Sequence, residues 1–159
     1  MYMDIRFINA ENRQQVNEFI RSSWFSTDII IRGEIVDTTV LEGFAVYDKE
    51  ELLGLLTFRI KDKELEIVSL DSIQENQGIG SALMNRIKEE AVKRNCNKIK
   101  LITTNDNLNA LMFYQKRGYD MVQVYPNALD LSRRLKPTIP LTGNYGIPLK
   151  HEIEFELVL

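Results

Sequence analysis

The stretch Val68–Leu83, VSLDSIQENQGIGSAL, decides the fold. It begins as an apolar strand, crosses a polar loop after Leu70, and sets Gly78 and Gly80 where an amphipathic helix opens. In that helix, from about Gly78 to Asn95, Ile79, Leu83, Ile87 and Ala91 recur every four residues and share an apolar face. Arg86, Glu89, Glu90, Lys93 and Arg94 are expected to stay wet, with Glu89–Lys93 and Glu90–Arg94 in the favourable acid-before-base order. Amides in a first helical turn have no acceptor within the helix, and the helix dipole adds positive potential there. Glycine lets a bulky diphosphate come close to such a backbone. The turn therefore suits an anionic diphosphate, although a tight turn with close helix packing would use the same glycines. A dinucleotide-binding turn competes less well. Leu83 stands where its third small residue belongs, several strands come first, and seven residues separate Leu70 from Gly78.

Ahead of this stretch lie three apolar runs, Gly43–Tyr47, Leu52–Ile60 and Leu65–Leu70, separated by Asp48-Lys49-Glu50 and Lys61-Asp62-Lys63. Turns this short join antiparallel neighbours, so the runs predict a three-stranded meander. Asp4–Asn9 predicts a short strand and Arg13–Trp24 a helix with Val16, Phe19 and Ile20 inward and Asn12 as cap. Phe25–Val40 is expected to be a second short helix with a loop, or irregular cover over a cleft.

Beyond the long helix, Lys98–Thr103 reads as a buried strand carrying Ile99, Leu101 and Ile102. Strand, helix and strand in this order form a crossover, so this strand should run parallel to the one ending near Leu70. Leu108–Arg117 reads as a helix closed by Gly118, and Tyr119–Tyr125 as another strand. The prolines, Pro126, Pro137, Pro140 and Pro148, mark a last third with a helical turn (Ala128–Lys136) and a loop (Thr138–Leu149). Glu152–Leu157 alternates as a final strand with one polar face.

The helix after the second crossover strand carries Asn107, Ala110, Phe113, Tyr114, Gly118 and Tyr119 in the pattern N-x-x-A-x-x-F-Y-x-x-x-G-Y. Together with Gly78 and Gly80, the latter 27 residues upstream of Asn107, this pattern resembles the GCN5-related N-acetyltransferase superfamily. The likeness is strongest from about Gly43 to Val124. It implies an α/β (α+β) fold in a single domain over 1–159: a mixed, mostly antiparallel sheet of six to seven strands, with a central splayed parallel pair and flanking helices. It departs from the family at Glu75, where Arg or Gln is usual; Gln74 or Gln77 would then supply the side-chain donor.

The resemblance implies transfer of an acetyl group from acetyl-CoA, as cosubstrate, to a small-molecule amine or a protein amino group by direct attack. Leu70, Asp71 and Ser72 would meet the pantetheine arm, and Gln77, Gly78, Ile79, Gly80 and Ser81 the pyrophosphate. Asn107, Ala110 and Phe113 would complete the cofactor contacts, with Lys116 and Arg117 available to phosphate oxygens. Asn107 also suits a helix cap, and basic residues in a last turn also complement the helix dipole. Tyr114 is the candidate general acid, since a phenol with a pKa of about 10 is protonated at neutral pH; a packed aromatic is its plainer role. Glu66 is the candidate base, against the alternatives of a solvated strand edge and an ordered water. Acceptor specificity would lie in Trp24–Gly33 and Pro137–Pro148, with Tyr145 near the loop tip. Family members often dimerise, so a homodimer fits. A non-catalytic acyl-CoA sensor of the same fold is the other function the resemblance allows.

Composition bounds the rest. With 159 residues, 44% hydrophobic and 27% charged, the chain suits one globular domain. A net charge of −3 with interspersed signs argues against nucleic acid as partner. The absence of a long apolar run argues against a membrane, and the start lacks a signal-peptide core, which favours the cytoplasm. Cys96 and His151 are the sole residues of their types, so metal chemistry and histidine triads lose their ligands. His151 reads as a surface residue and Cys96 as a bystander.

Overall fold

A computed structural model describes residues 3–74 and 77–159, and the chain separates into two compact units. Of the described residues, the first comprises 3–29, 37–74, 77–99 and Leu159; the second comprises 30–36 and 100–158. In chain order the first elements are β1 (Asp4–Phe7), α1 (Arg13–Trp24), β2 (Asp28–Ile31), β3 (Glu34–Asp37), β4 (Glu42–Asp48), β5 (Glu51–Lys61) and β6 (Glu64–Ser72). There follow α2 (Ile79–Lys93), β7 (Lys98–Thr104), α3 (Leu108–Lys116), β8 (Asp120–Tyr125), α4 (Ala128–Leu135) and β9 (Glu152–Val158). Seven strands take the order β1-β4-β5-β6-β7-β9-β8, mostly antiparallel, with β6 and β7 as the parallel pair joined through α2. The expected sheet class is therefore present. Among the described residues no helix is long and apolar enough to cross a membrane.

In the first unit the meander forms as expected. Its second turn has Asp62 and Lys63 both at positive φ (51° and 63°), the backbone twist that suits a two-residue hairpin turn. Val16 and Ile20 of α1 bury against Ile8, Ala45, Tyr47, Leu52 and Leu55. α2 lies across the sheet with Ile79, Leu83, Ile87 and Ala91 all inward, as the four-residue spacing predicts. Arg86 stacks over Phe44 and Arg94 over Phe58, at 4.3 and 5.5 Å from the ring centres.

Glu90 departs from expectation. It is buried rather than wet, because Arg94 and Arg86 grip its carboxylate at 2.7 and 3.2 Å. These cations hold its pKa down against the opposing effect of burial, which is the largest single influence on it. Asn12 also departs. It precedes α1, but its side chain caps no α1 amide; its oxygen accepts from Asn9 N and its nitrogen donates to Phe7 O. The side chain thus ties down the exit from β1.

The second short helix expected within Phe25–Val40 is absent as well. Ile29–Ile31 and Ile35–Val36 belong to the β2–β3 hairpin, turned by Arg32 and Gly33 at φ 49° and 74°. β-branched residues favour the pleated surface, and a positive-φ pair supplies the turn. A short 3-10 turn at Thr38–Val40 follows.

In the second unit β8 pairs antiparallel with β9, and Tyr119 N donates to Tyr114 O as Gly118 (φ 87°) ends α3 in the left-handed region. The loop before β9 is anchored through Asp106, which is buried. Its carboxylate accepts from Thr104 Oγ1 and from Asn144 N and Nδ2. His151 is a joint rather than a bare surface residue. Its Nδ1 accepts from Asn127 N, while its backbone N–H donates to the Asn105 side chain.

Candidate functional site

In the first unit the site begins with an irregularity in β6. Thr57 pairs with Ser69 but Phe58 pairs with Ile67, so Val68 is an extra residue that bulges. Side chains alternate along a strand, and one extra residue exchanges the faces beyond it. Leu65 and Ile67 stand on the same side as Phe58, under α2. Past the bulge, Ser69 and Asp71 stand on the opposite side with Thr57 and Leu55. Ser69 and Thr57 share a buried hydroxyl–hydroxyl hydrogen bond of 2.6 Å. Leu55 belongs to the core against α1.

Asp71 accordingly meets α1. Trp24 Nε1, in the last position of α1, donates to Asp71 Oδ2 at 2.7 Å. Asp71 is half-buried. Burial raises its pKa above the ordinary carboxylate value, and the indole hydrogen bond opposes that rise. The expectation for Asp71 concerned its backbone only; the single tryptophan of the chain was the available signal for a side-chain role.

Ile73 N bonds to Leu53 O as β6 ends, and Ser72 Oγ donates to Gln74 O. The departure at Glu75 lies outside the described residues. Gln77 is exposed, Gly78 caps α2 at φ 77°, and Ile79 is fully buried. Ala82 N closes the first turn on Gly78 O at 3.0 Å. Gly80 and Ser81 are half-buried in that first turn. A Cβ on Gly78 would have Met3 Cε at 3.6 Å as its nearest neighbour, so packing does not demand glycine there. The left-handed φ does.

Gly54 is the residue that positions this helix start, and it was not anticipated. A Cβ on it would fall 2.3 Å from Ile79 Cγ2 and 3.1 Å from Asp71 O. A glycine in the middle of the apolar run Leu52–Ile60 is the recognisable mark of a close approach. It lets the first turn of α2 rest on β5 beside the last residues of β6.

Glu66 is corrected in one respect. It is not a solvated edge residue: β6 lies inside the sheet, and Glu66 is 4% exposed with its carboxylate 2.7 Å from Arg59 Nε. The cross-strand partner Arg59, seven residues away around the hairpin, satisfies it.

The second unit holds the other expected group. Asn107 caps α3, its oxygen accepting from Ala110 N at 3.2 Å, which leaves its amide nitrogen as a donor for a ligand. Ala110 and Phe113 are half-buried and Lys116 is exposed. The Arg117 guanidinium lies 3.5 Å from the centre of the Phe113 ring and donates to Phe113 O. Tyr114 is buried among Phe113, Tyr119 and Phe155, at ring separations of 5.3, 6.0 and 5.7 Å. Burial pushes the neighbouring Tyr119 phenol well above its usual range. Tyr145, at the loop tip, is exposed and donates to Asn109 Oδ1. Facing Arg32 of the β2–β3 turn, Glu152 accepts from its backbone N–H, and Glu154 pairs with its guanidinium at 3.0 Å.

Over 152 residues, 95% of each chain, the sequence is 44% identical to the uncharacterised protein YdhI of Bacillus subtilis (strain 168). Naa50 of Arabidopsis thaliana, solved with the bisubstrate analogue CoA-Ac-MVNAL, superposes with a TM-score of 0.73 at 17% identity, over 100% of both chains. A GNAT family acetyltransferase from Elizabethkingia anophelis with acetyl-CoA bound gives 0.71 at 17% identity, over 99% of this chain and 98% of that one. At such identities the two structures speak for the architecture. Residues 9–119, which hold both the Gly78–Gly80 turn and the Asn107–Tyr119 pattern, match the family model described as "Acetyltransferase (GNAT) family", and the chain belongs to that family.

Proposed function

We propose that the chain is a single-domain N-acetyltransferase that moves an acetyl group from acetyl-CoA to an amine acceptor in a ternary complex. The observation that carries this reading is the start of α2, where Gly78 is exposed at φ 77° and opens a 15-residue helix. Amides at a helix start have no acceptor within the helix, which suits them to a diphosphate. The match of the whole family segment supports the same reading.

In this proposal the amides from Gln77 to Ser81 hold the pyrophosphate, and backbone groups of Leu70, Asp71 and Ser72 align the pantetheine arm. An amide near Leu70 stabilises the oxygen that gains charge as the amine attacks. Orientation supplies most of the rate, because both reactants are held together without a covalent enzyme intermediate. Tyr114 protonates the departing thiolate; the C–N bond forms as the C–S bond breaks. Asn107, Ala110, Phe113 and Lys116 complete the cofactor contacts. The acceptor is a small amine or a protein amino group.

Isothermal titration with acetyl-CoA and a thiol-release assay against a panel of primary amines test the proposal. Binding together with thiol release is expected. No binding at millimolar cofactor would sink it. A non-catalytic acyl-CoA sensor is the second reading, favoured by the engagement of Glu66 with Arg59. Tight binding without turnover on any amine would select it. Tyr114→Phe is expected to lower kcat by about 10²-fold or more while leaving acetyl-CoA affinity within about threefold.

A further inference from the structure

The acetyl-transfer reading leaves a chemical problem unsolved. A primary alkylamine with a pKa of about 10.4 is uncharged in roughly one molecule per thousand at pH 7.4. Some group must remove a proton before the nitrogen lone pair can attack. Glu66, the sequence candidate, is 4% exposed and locked to Arg59, so an incoming ammonium would have to displace a cation already in contact.

Asp71 meets the requirements that Glu66 does not. It belongs to the last residues of β6, whose backbone carries the thioester end of the cofactor in the transfer reading. The Val68 bulge turns its side chain to the α1 side of the sheet, beside Thr57, Ser69 and Leu55. Its carboxylate is fixed by an uncharged donor, the Trp24 indole, on Oδ2. Trp24 from α1 and Leu55 from β5 face it, and neither titrates. An uncharged clamp orients a carboxylate without neutralising it. That is the arrangement a cationic substrate needs, and it differs from the paired Arg59–Glu66 on the same strand.

We propose that the Asp71 carboxylate, oriented by the Trp24 indole, receives the acceptor as an ammonium ion and takes one of its protons, so that the acceptor class is a cationic primary amine. This rests on the acetyl-transfer reading. Asp71 accepts one of the three ammonium protons and the neutral amine attacks the thioester carbon. Tyr114 protonates the sulfur as the C–S bond breaks, and the second proton, which leaves nitrogen as the amide forms, reloads the Tyr114 phenolate. Asp71 then returns its proton to water. Trp24 is a positioning residue. The upward pull of burial on the Asp71 carboxyl strengthens it as a base, and the indole limits that pull.

The test uses the full chain and two separate readouts. Trp24 is the sole tryptophan, so its fluorescence in the cofactor-free protein reports the ionisation of Asp71. The emission is expected to titrate with a midpoint above the ordinary aspartate value of about 3.9, and the transition should vanish in Asp71→Asn. A wild-type midpoint at or below that value, or a transition that survives in the variant, overturns the assignment. The kinetic arm compares Asp71→Asn with wild type on the best primary amine of a panel and on hydroxylamine, which is uncharged at neutral pH. A loss of about 10²-fold or more in kcat/KM on the alkylamine is expected, with hydroxylamine turnover and acetyl-CoA affinity each within about threefold. Equal losses on both nucleophiles, no loss on either, or wild-type turnover of hydroxylamine but of no alkylamine each overturn the proposal. Trp24→Phe should keep acetyl-CoA affinity and shift the acidic limb of the kcat/KM profile upward; an unmoved limb removes the positioning role. Absence of acetyl-CoA binding by the wild type overturns the transfer reading and this proposal with it. Intact binding with unchanged Asp71→Asn kinetics overturns this proposal alone.

Discussion

Gly54→Ala puts a single methyl group where the β5–α2 contact leaves no space. The added carbon would lie 2.3 Å from Ile79 Cγ2, well inside the roughly 3.5–4.0 Å at which carbon atoms attract, and 3.1 Å from Asp71 O. Ile79 is 1% exposed and Leu83 fully buried, so neither can swing into solvent. The helix start must lift or the strand must bend. Overpacking of this kind costs about 1–3 kcal/mol, which for a chain of this length corresponds to a fall in Tm of roughly 3–10 °C. Gly54 also pairs with Ser72, the last residue of β6, so the displacement reaches the proposed cofactor contacts directly. Acetyl-CoA affinity is expected to fall about tenfold, or about 1.4 kcal/mol. Urea unfolding of wild type, Gly54→Ala, Ile79→Ala and the double variant isolates the contact. Ile79→Ala alone costs about 2–5 kcal/mol, but in the double variant the new methyl occupies the space that Cγ2 vacates. The double variant should therefore be about 1–3 kcal/mol more stable than additivity predicts. Additive costs, or an unchanged midpoint for Gly54→Ala, would refute the claim that this glycine seats the helix.

Gly78→Asp separates a cap from an anion cradle. Asp tolerates the left-handed backbone and makes a good N-cap, so Tm should hold or rise slightly, while acetyl-CoA affinity should drop at least about tenfold through charge repulsion; titration calorimetry and a melting curve decide it. Arg94→Ala removes a fork on Glu42, a contact with Glu90 and a stacked ring, and should cost about 1–3 kcal/mol by urea unfolding, less than a fully buried pair because Arg94 is partly exposed. Glu152 is buried and its carboxyl pKa is raised, chiefly by burial, against the hydrogen bond and charge of Arg32. A raised carboxyl pKa means that the folded state holds the proton more tightly, so stability is lost as pH rises from the ordinary glutamate value through the raised one. Glu152→Gln should thus melt above wild type at neutral pH, the gap closing as pH falls below the ordinary value; a constant gap would contradict this.

The parts of the fold that rest on short-range periodicity were legible in advance. The meander turns and the α2 stripe follow from spacings within about fifteen residues, the crossover to β7 from the strand–helix–strand order, and the Gly118 terminus from one residue type. Where burial by the surrounding fold decides the outcome, local reading failed. Glu90 looked like any exposed helix acid, and only Arg94 reaching back from the helix end, with Arg86 beside it, explains its burial. Glu66 looked like an edge residue because only the hairpin register, which sets it opposite Arg59, and the place of β6 inside the sheet show it to be buried and paired. The run Ile29–Ile31 is too short for periodicity to separate strand from helix; the deciding element was the Arg32-Gly33 turn, whose left-handed backbone is not written in an arginine. At the candidate site, the glycines and the Asn107–Tyr114 pattern were visible, whereas the Trp24–Asp71 contact joins residues 47 apart and needed coordinates.

The Val68 bulge also constrains how this chain can vary. Removing that one residue would restore strict alternation, carrying Asp71 to the α2 side and Leu70 to the other. Helix packing and the carboxylate's orientation would be lost together. Hairpin turns at Lys49 and Asp62 carry no such burden and can lengthen without redirecting anything. The register of β6 is therefore held at its present length, while those turns are free to vary.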